Sequence, residues 1–364
     1  MRQGSPSRSR SKAPGPTKIW LGIPILTSSL LQSKRSPPAE RLVFAVLRRS
    51  SLAVLVATSA LLLASCASTG AAPEQSAGSG GGFTLEHPSI DGLAIDFDAQ
   101  PKNIVMDCYA YSSLHEYGVE PVALFGYECD NPFVMGDADI SNIEVVGTDG
   151  EIDVEKLAKL RPDAIIGQGT ADGWNWFDED VNAQITRVAP FVPLPSSETI
   201  EGRIADTREI ADFFGGDVAS DAIVQSDEDL EQAKEAFSDA ITDKKLNLML
   251  TSPAKEMLYT GVGFAQAELL EELGATIVGA DAPKTGNPWG QVAWEDASTY
   301  PADILLVEGY SEDFSFSSEL WDALPAVQAD QLGAWSSKGA MTASTYAAWL
   351  NDVAALVSLS TKVS

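Results

Sequence analysis

Two histidines, His87 and His115, are too few for a histidine-rich zinc site or a haem held between paired histidines. Three cysteines exclude a disulfide-dense scaffold. Basic residues are scarce where a folded body is expected: residues 66–364 hold 14 Lys and Arg against 51 Asp and Glu, a net charge of −37. A surface that acidic repels phosphate backbones, which excludes nucleic acid as a partner. Catalytic signatures are missing too: there is no G-x-S-x-G, no H-E-x-x-H and no Cys/His pair at motif spacing. Gly261-Val262-Gly263-Phe264 is half of a dinucleotide fingerprint, and the acidic residue it needs downstream is ambiguous. The acidic loop from Asp130 to Asp139 lacks the spacing of an EF-hand and reads as solvated.

Apolar residues make up 45% and charged residues 21% of a 364-residue chain, enough for two domains with a sizeable core. The charge is unevenly spread, because residues 1–65 hold ten Lys and Arg and one acid, Glu40. Arg48-Arg49 followed by the thirteen-residue apolar run Leu52–Ala64 reads as the n- and h-regions of a signal peptide, too short for a comfortable membrane span. Ser51 after the arginine pair departs from a twin-arginine signal, and the Ser/Pro/Arg-rich stretch 1–41 suggests true initiation near Val43. The run ends in Leu63-Ala64-Ser65-Cys66, which resembles a bacterial lipoprotein box. That resemblance implies a diacylglycerol on the Cys66 sulfur and a mature protein starting there, anchored outside the cell; a plain signal peptide with an incidental Cys is the alternative. Residues 66–84 are then a lipid-anchored flexible linker rich in Gly, Ser and Ala.

From Asn103 onward, short apolar runs alternate with helical patterns. Asn103–Asp107, Val122–Phe125 and Ala164–Gly167 read as buried strands in the first half, with helices over Ser112–Tyr117 and Ile152–Leu160. Leu246–Leu250, Thr276–Val278 and Ile304–Val307 do so in the second, with helices over Ala265–Leu273 and Ser344–Leu359. This alternation predicts an α/β protein of two lobes, each a mainly parallel sheet flanked by helices. Asp217–Ile241 lacks Pro and Gly and repeats apolar residues at helical spacing, so it predicts one long interlobe helix. The expected organisation is a targeting segment (1–65), a linker (66–84), an N-terminal lobe (85–215), an interlobe helix (216–242) and a C-terminal lobe (243–364). A coarse internal echo sets Ile152–Leu157 and Leu160–Ile166 beside Val292–Ala297 and Tyr300–Leu306: a Glu on a short helix, a Pro/Asp turn, then a buried strand.

At these segments the chain resembles substrate-binding lipoproteins of bacterial ABC importers, of the siderophore, haem and cobalamin class. The carrying residues are Gly118-Val119-Glu120-Pro121-Val122, Val145-Val146-Gly147, the Glu155–Ile166 block, Glu209–Gly215, Glu268–Gly274 and Leu324-Pro325-Ala326-Val327. The resemblance implies two rigid lobes joined by one helix, no catalysis, no intrinsic cofactor, an iron chelate as cargo and a permease with its ATPase as partner. It implies a monomer that moves little on binding. It also implies that one Glu on each lobe docks into the permease, at Glu155 and Glu295. Without it, both would read as ordinary solvated acids.

In open α/β sheets ligands sit beyond the C-terminal strand ends. The aromatic residues there are Tyr109, Tyr111, Tyr127, Trp174 and Trp176 in the first half, and Tyr259, Trp289, Tyr310 and Trp335 in the second. They are the expected ligand-binding residues, Trp174 and Trp176 foremost; each could instead plug its own lobe. Trp294, Trp321 and Trp349 read as packing residues. Arg161, Arg187, Arg203 and Arg208 all fall on first-half helices, leaving Lys255 and Lys284 as the basic residues expected near a cleft, which favours a neutral or cationic ferric hydroxamate over an anionic chelate. Haem, with Tyr109, Tyr111 or His115 as axial ligand, and cobalamin stay open, as do a non-transport surface module and an unrecognised enzyme. In an exported chain Cys108 and Cys129, each following a strand, are expected to pair; separate buried thiols or thiolate metal ligation are the alternatives.

Overall fold

The computed structural model describes residues 82–284, 287–311 and 313–364. The signal segment, Cys66 and most of the linker lie outside the described residues. The described chain enters the fold at the strand Phe83–Glu86, two residues ahead of the expected boundary, and pairs antiparallel with Ala94–Phe97. His87 Nε2 lies 2.9 Å from the carbonyl of Pro193 and fastens this hairpin to the N-lobe sheet.

That sheet has the order Phe191–Pro193, Ala164–Gly167, Ile104–Asp107, Ala123–Phe125, Glu144–Val145, and all its pairs are parallel. Every residue of its central strand Ile104–Asp107 is buried, so both faces are covered and its first three residues read as an apolar run, closed by Asp107. Helices return the chain between strands, each started by a side-chain cap. Asp107 caps Cys108–Leu114, Asp153 caps Val154–Leu160, and Asp178 caps Glu179–Val188. The first helix begins four residues earlier than its apolar pattern suggested, because the Asp107 carboxylate accepts from Ala110 N at the strand end itself.

The interlobe helix is Asp221–Ile241, about 32 Å at the helical rise. Its start is later than the sequence pattern gave. Asp217 N donates to the carbonyl of Tyr117, holding that turn to the N-lobe, and Ser220 takes the cap. Ile223 packs into the N-lobe core; Leu230, Ala233, Phe237 and Ile241 pack into the C-lobe core. The closing helix Ala343–Leu359 lies along it.

The C-lobe sheet runs Gly290–Val292, Leu258–Thr260, Asn247–Pro253, Ile304–Glu308, Leu332–Trp335, with Thr276–Ile277 added in parallel beside the start of Asn247–Pro253. The pairs on one flank are parallel and the Leu258–Thr260 hairpin and its neighbour are antiparallel. The echo in the sequence has a structural counterpart. Asp163 Oδ2 accepts from Lys102 N and Asn103 N at the start of the N-lobe's central strand, and Asp303 Oδ2 accepts from Asn247 N at the same place in the C-lobe.

Candidate ligand cleft

Three consecutive residues at the end of the N-lobe's central strand organise one wall. Asp107 is fully buried; its Oδ1 accepts from Ala110 N (2.7 Å) and its Oδ2 from Gln168 N (2.7 Å) and the Trp174 indole Nε1 (2.8 Å). Burial outweighs these donors and pushes its carboxyl up to about 6. Cys108 is bridged to Cys129, with their Cα atoms 5.2 Å apart, which ties the segment after Ala123–Phe125 to the start of the first helix. Tyr109 packs under Trp176, ring centroids 5.9 Å apart. Burial, then the carboxylates of Glu128, Asp107 and Glu308, push its hydroxyl far above the ordinary phenol range. Glu308 ends a C-lobe strand, so its influence reaches Tyr109 from the other lobe.

Trp174 is the keystone of this wall. Asn182 brackets its backbone, accepting from Trp174 N and donating to its carbonyl. Tyr127 stacks on it at 5.5 Å, and Trp176 lies 4.8 Å away. Gly126 at φ +100° turns the chain into this stack; a Cβ there would sit 3.0 Å from the Trp174 ring. At the surface stand Trp176, 38% exposed, and half-buried Tyr127, their rings 5.8 Å apart.

The facing wall belongs to the C-lobe. Ser252, Tyr259, Trp289, Glu308 and Lys338 line a pocket of about 240 Å³. Trp289 packs edge-on against Tyr259 (6.1 Å), Phe264 (4.8 Å) and Trp335 (5.4 Å).

The nine aromatic residues expected at a ligand therefore separate. Tyr127, Trp176, Tyr259 and Trp289 offer partly exposed rings, and Tyr109 supports them from below. Trp174 and Trp335 are corrected to packing residues: both are buried, and each indole N–H is spent on the lobe, to Asp107 Oδ2 and to the Thr251 carbonyl (3.0 Å). Tyr111 is corrected likewise, being buried on the first helix with its hydroxyl 3.1 Å from Glu120. Tyr310 packs on Phe314 within a satellite core of the C-lobe. Trp294 and Trp321 lie in that same core. Ser252, Glu308 and Lys338 were not singled out from sequence, although Glu308, the last residue of a buried apolar run, carries a usable signal.

Two of the axial candidates for haem already have polar partners. Tyr111 is held by Glu120, and His115 Nε2 lies 3.4 Å from Asp137. Among the described residues, no group of three or more His, Cys, Asp or Glu side chains is placed to hold a metal ion. Glu155 is exposed on Val154–Leu160, and Glu295 is exposed on the 3-10 turn Trp294–Thr299.

The bridge has a measurable consequence. Replacing Cys108 and Cys129 together by serine frees a 21-residue separation in the unfolded chain and is expected to cost roughly 3 kcal/mol by the loop-entropy relation, read as a lower urea midpoint. An unchanged midpoint would contradict it.

Residues 126–338 match the family model described as periplasmic binding protein. The comparison with curated proteins yields no match. Among solved structures, the ferric-siderophore receptor protein DesE from Streptomyces coelicolor is 22% identical with a TM-score of 0.66, over 78% of this chain and 100% of its own. The siderophore periplasmic binding protein from the fuscachelin gene cluster of Thermobifida fusca is 22% identical with a TM-score of 0.54, over 72% of this chain and 98% of its own. The Fe3+-Desferal-bound siderophore binding protein FhuD from Vibrio cholerae is 20% identical with a TM-score of 0.55, over 72% of this chain and 99% of its own. At these identities the likeness is one of fold.

Proposed function

We propose that this chain, which belongs to the periplasmic binding protein family, captures a ferric siderophore between its lobes and hands it to an ABC importer permease. Family membership makes it a transport component that binds cargo outside the cytoplasm, not a catalyst, and the chelate is cargo rather than cofactor. The observation that carries the siderophore reading is the pair of aromatic walls, Tyr127 and Trp176 on one lobe and Tyr259 and Trp289 on the other, at the C-terminal ends of two sheets. Broad ring faces suit a bulky chelate whose surface is largely organic. The structural neighbours, a ferric-siderophore receptor protein and an Fe3+-Desferal-bound siderophore binding protein among them, support the same cargo.

Charge favours a ferric hydroxamate within that class. Glu308 lines the C-lobe pocket and Glu128 lies near Tyr109, while Lys338 is the positive counterpart there and Arg161, Arg187, Arg203 and Arg208 are absent from the pocket lining. A trianionic catecholate would meet repulsion from both carboxylates. Titrating tryptophan fluorescence of the purified protein with a ferric hydroxamate, a ferric catecholate, haem and cobalamin tests this. Saturable quenching by the hydroxamate at sub-micromolar concentration, at least tenfold tighter than by the catecholate, is expected. Tighter binding of the catecholate, haem or cobalamin overturns the preference, and silence from all four overturns the chelate reading.

Lipid anchoring through Cys66, a monomeric working form and docking of Glu155 and Glu295 into the permease complete the proposal. Exposed carboxylates on separate lobes can each meet an arginine and fix orientation. Exchanging both for alanine is expected to abolish chelate uptake by cells and leave chelate affinity of the purified protein unchanged. Undiminished uptake would contradict the docking role.

A further inference from the structure

We propose that Ser113 and Glu116 are positioning residues that fix the width of the cleft: from the N-lobe, they hold the start of the C-lobe's closing helix. The inference concerns the protein without cargo and rests on the cleft reading only for its effect on affinity.

The two aromatic walls stand at the ends of different sheets, so their spacing depends on what joins the lobes. Two helices cross between the cores. Asp221–Ile241 is one; the other, Ile200–Phe213, sets Ile200 and Ile204 in the C-lobe core and Ile210 and Ala211 in the N-lobe core. Both are continuous backbone, and a helix that crosses between two bodies can still bend. A further joint is made by side chains. The N-lobe helix Cys108–Leu114 and the 3-10 turn His115–Tyr117 that follows it meet the start of the closing helix Ala343–Leu359.

Ser113 is fully buried, and its one hydroxyl serves both lobes. Its Oγ donates to the Tyr109 carbonyl at 2.9 Å and accepts from Met341 N at 3.1 Å. Tyr109 lies under Trp176 in the N-lobe wall. Met341 follows the loop in which Ser337 donates to Glu308 and Lys338 lines the C-lobe pocket. A single oxygen therefore ties the foundation of one wall to the segment that carries part of the other.

Glu116 makes the second point of the joint. Its Oε2 accepts from Ser344 Oγ, in the first turn of the closing helix. A carboxylate there also meets the positive pole of a 17-residue helix. Ser113 and Glu116 are three residues apart, and so are their partners Met341 and Ser344. Two bonds side by side resist rotation of the lobes as well as separation. The joint is also releasable. Glu116 Oε1 is buried with no hydrogen-bond partner among the described residues, and parting the lobes would give it water. That unmet acceptor offsets part of what the two bonds contribute.

Spin labels on ketone-bearing side chains introduced at exposed Lys159 of the N-lobe and exposed Glu319 of the C-lobe read the interlobe distance without touching the cysteines. A single narrow distance distribution is expected for the chelate-free protein. Ser113→Ala combined with Glu116→Ala broadens it, and ferric hydroxamate affinity falls about tenfold, because only a minor share of molecules then holds the competent spacing. Glu116→Ala alone broadens it too, whereas Glu116→Gln, which keeps an acceptor for Ser344, stays narrow. A double variant as narrow as the wild type, or Glu116→Gln as broad as Glu116→Ala, overturns the inference. Should the double variant not fold, Ser344→Ala removes the Glu116 bond from the C-lobe side, and an unchanged distribution there overturns the inference as well. The distances are read without cargo. A joint that opens on substitution, in a protein that binds no chelate, leaves this inference standing and sinks the cargo reading.

Discussion

Asp107→Ala is expected to destabilise the protein by about 4 kcal/mol and to weaken chelate binding at least tenfold. The first effect follows from three donors left without an acceptor in a buried place, the N–H groups of Ala110 and Gln168 and the indole of Trp174. Each such group costs about 1–3 kcal/mol, partly offset because a buried carboxylate is removed. The second effect follows from Trp174, whose ring supports both Tyr127 and Trp176. Urea unfolding and a chelate titration read the two separately; a variant as stable as the wild type would contradict the network. A pH series adds a second check. The Asp107 carboxyl sits at about 6, raised from 3.8 by burial, so the folded state binds its proton more tightly than the unfolded state. Stability from this group is therefore fully present below about pH 3.8 and is lost as pH rises towards 6. Asp107→Asn does not titrate, so the stability gap between wild type and that variant is expected to narrow across this window and to stay level above it. A gap that widens instead would contradict the assigned state of Asp107.

Asp303→Ala is expected to cost a similar amount, about 4 kcal/mol, by a different route. Its buried carboxylate accepts from Asn247 N at the start of the C-lobe's central strand and from Val363 N (2.7 Å) and Ser364 N (2.8 Å) in the C-terminal tail. Hydrogen bonds to a charged acceptor contribute about 1.5–3 kcal/mol each, and the freed tail recovers some entropy. Lys362 lies 3.2 Å away, half exposed, and adds little. Burial alone would raise this carboxyl, but the N–H groups of Asn247, Val363 and Ser364 hold it at about 2. The clasp is thus intact above about pH 3.8 and fails as pH falls towards 2, below the window in which Asp107 acts. Thermal unfolding and amide exchange at Val363 and Ser364 check it. Tail amides as protected in the variant as in the wild type would contradict the clasp.

Much of this architecture is legible in the chain because its central strands are covered on both faces. Ile104–Asp107, Ala164–Gly167 and Ile304–Glu308 are short apolar runs, two of them closed by an acid, a pattern that needs no tertiary knowledge. The three-residue strands Leu258–Thr260 and Gly290–Val292 escaped, since their identity comes from pairing with Asn247–Pro253 rather than from any local period. The site shows the same division. Trp174 and Trp176 are two residues apart on one polar loop, yet the first is buried and the second exposed. What separates them is a hydrogen bond to Asp107, 67 residues away, and Trp335 is likewise held by Thr251, 84 residues away. Residue type and neighbours place an aromatic side chain near the strand ends; a distant acceptor decides which face of the loop it takes. Glu308 illustrates the reverse case, a charge ending an apolar run, where the local pattern alone marks a residue that faces the opposite lobe.

The central claim is that iron rides in the cleft between the aromatic walls. Anomalous diffraction at the iron edge, from crystals of the protein grown with a ferric hydroxamate, locates that atom directly. The account predicts a single strong iron peak between Tyr127 and Trp176 on one side and Tyr259 and Trp289 on the other. Iron bound anywhere else on the chain, or a chelate-saturated crystal with no iron in the cleft, would contradict it.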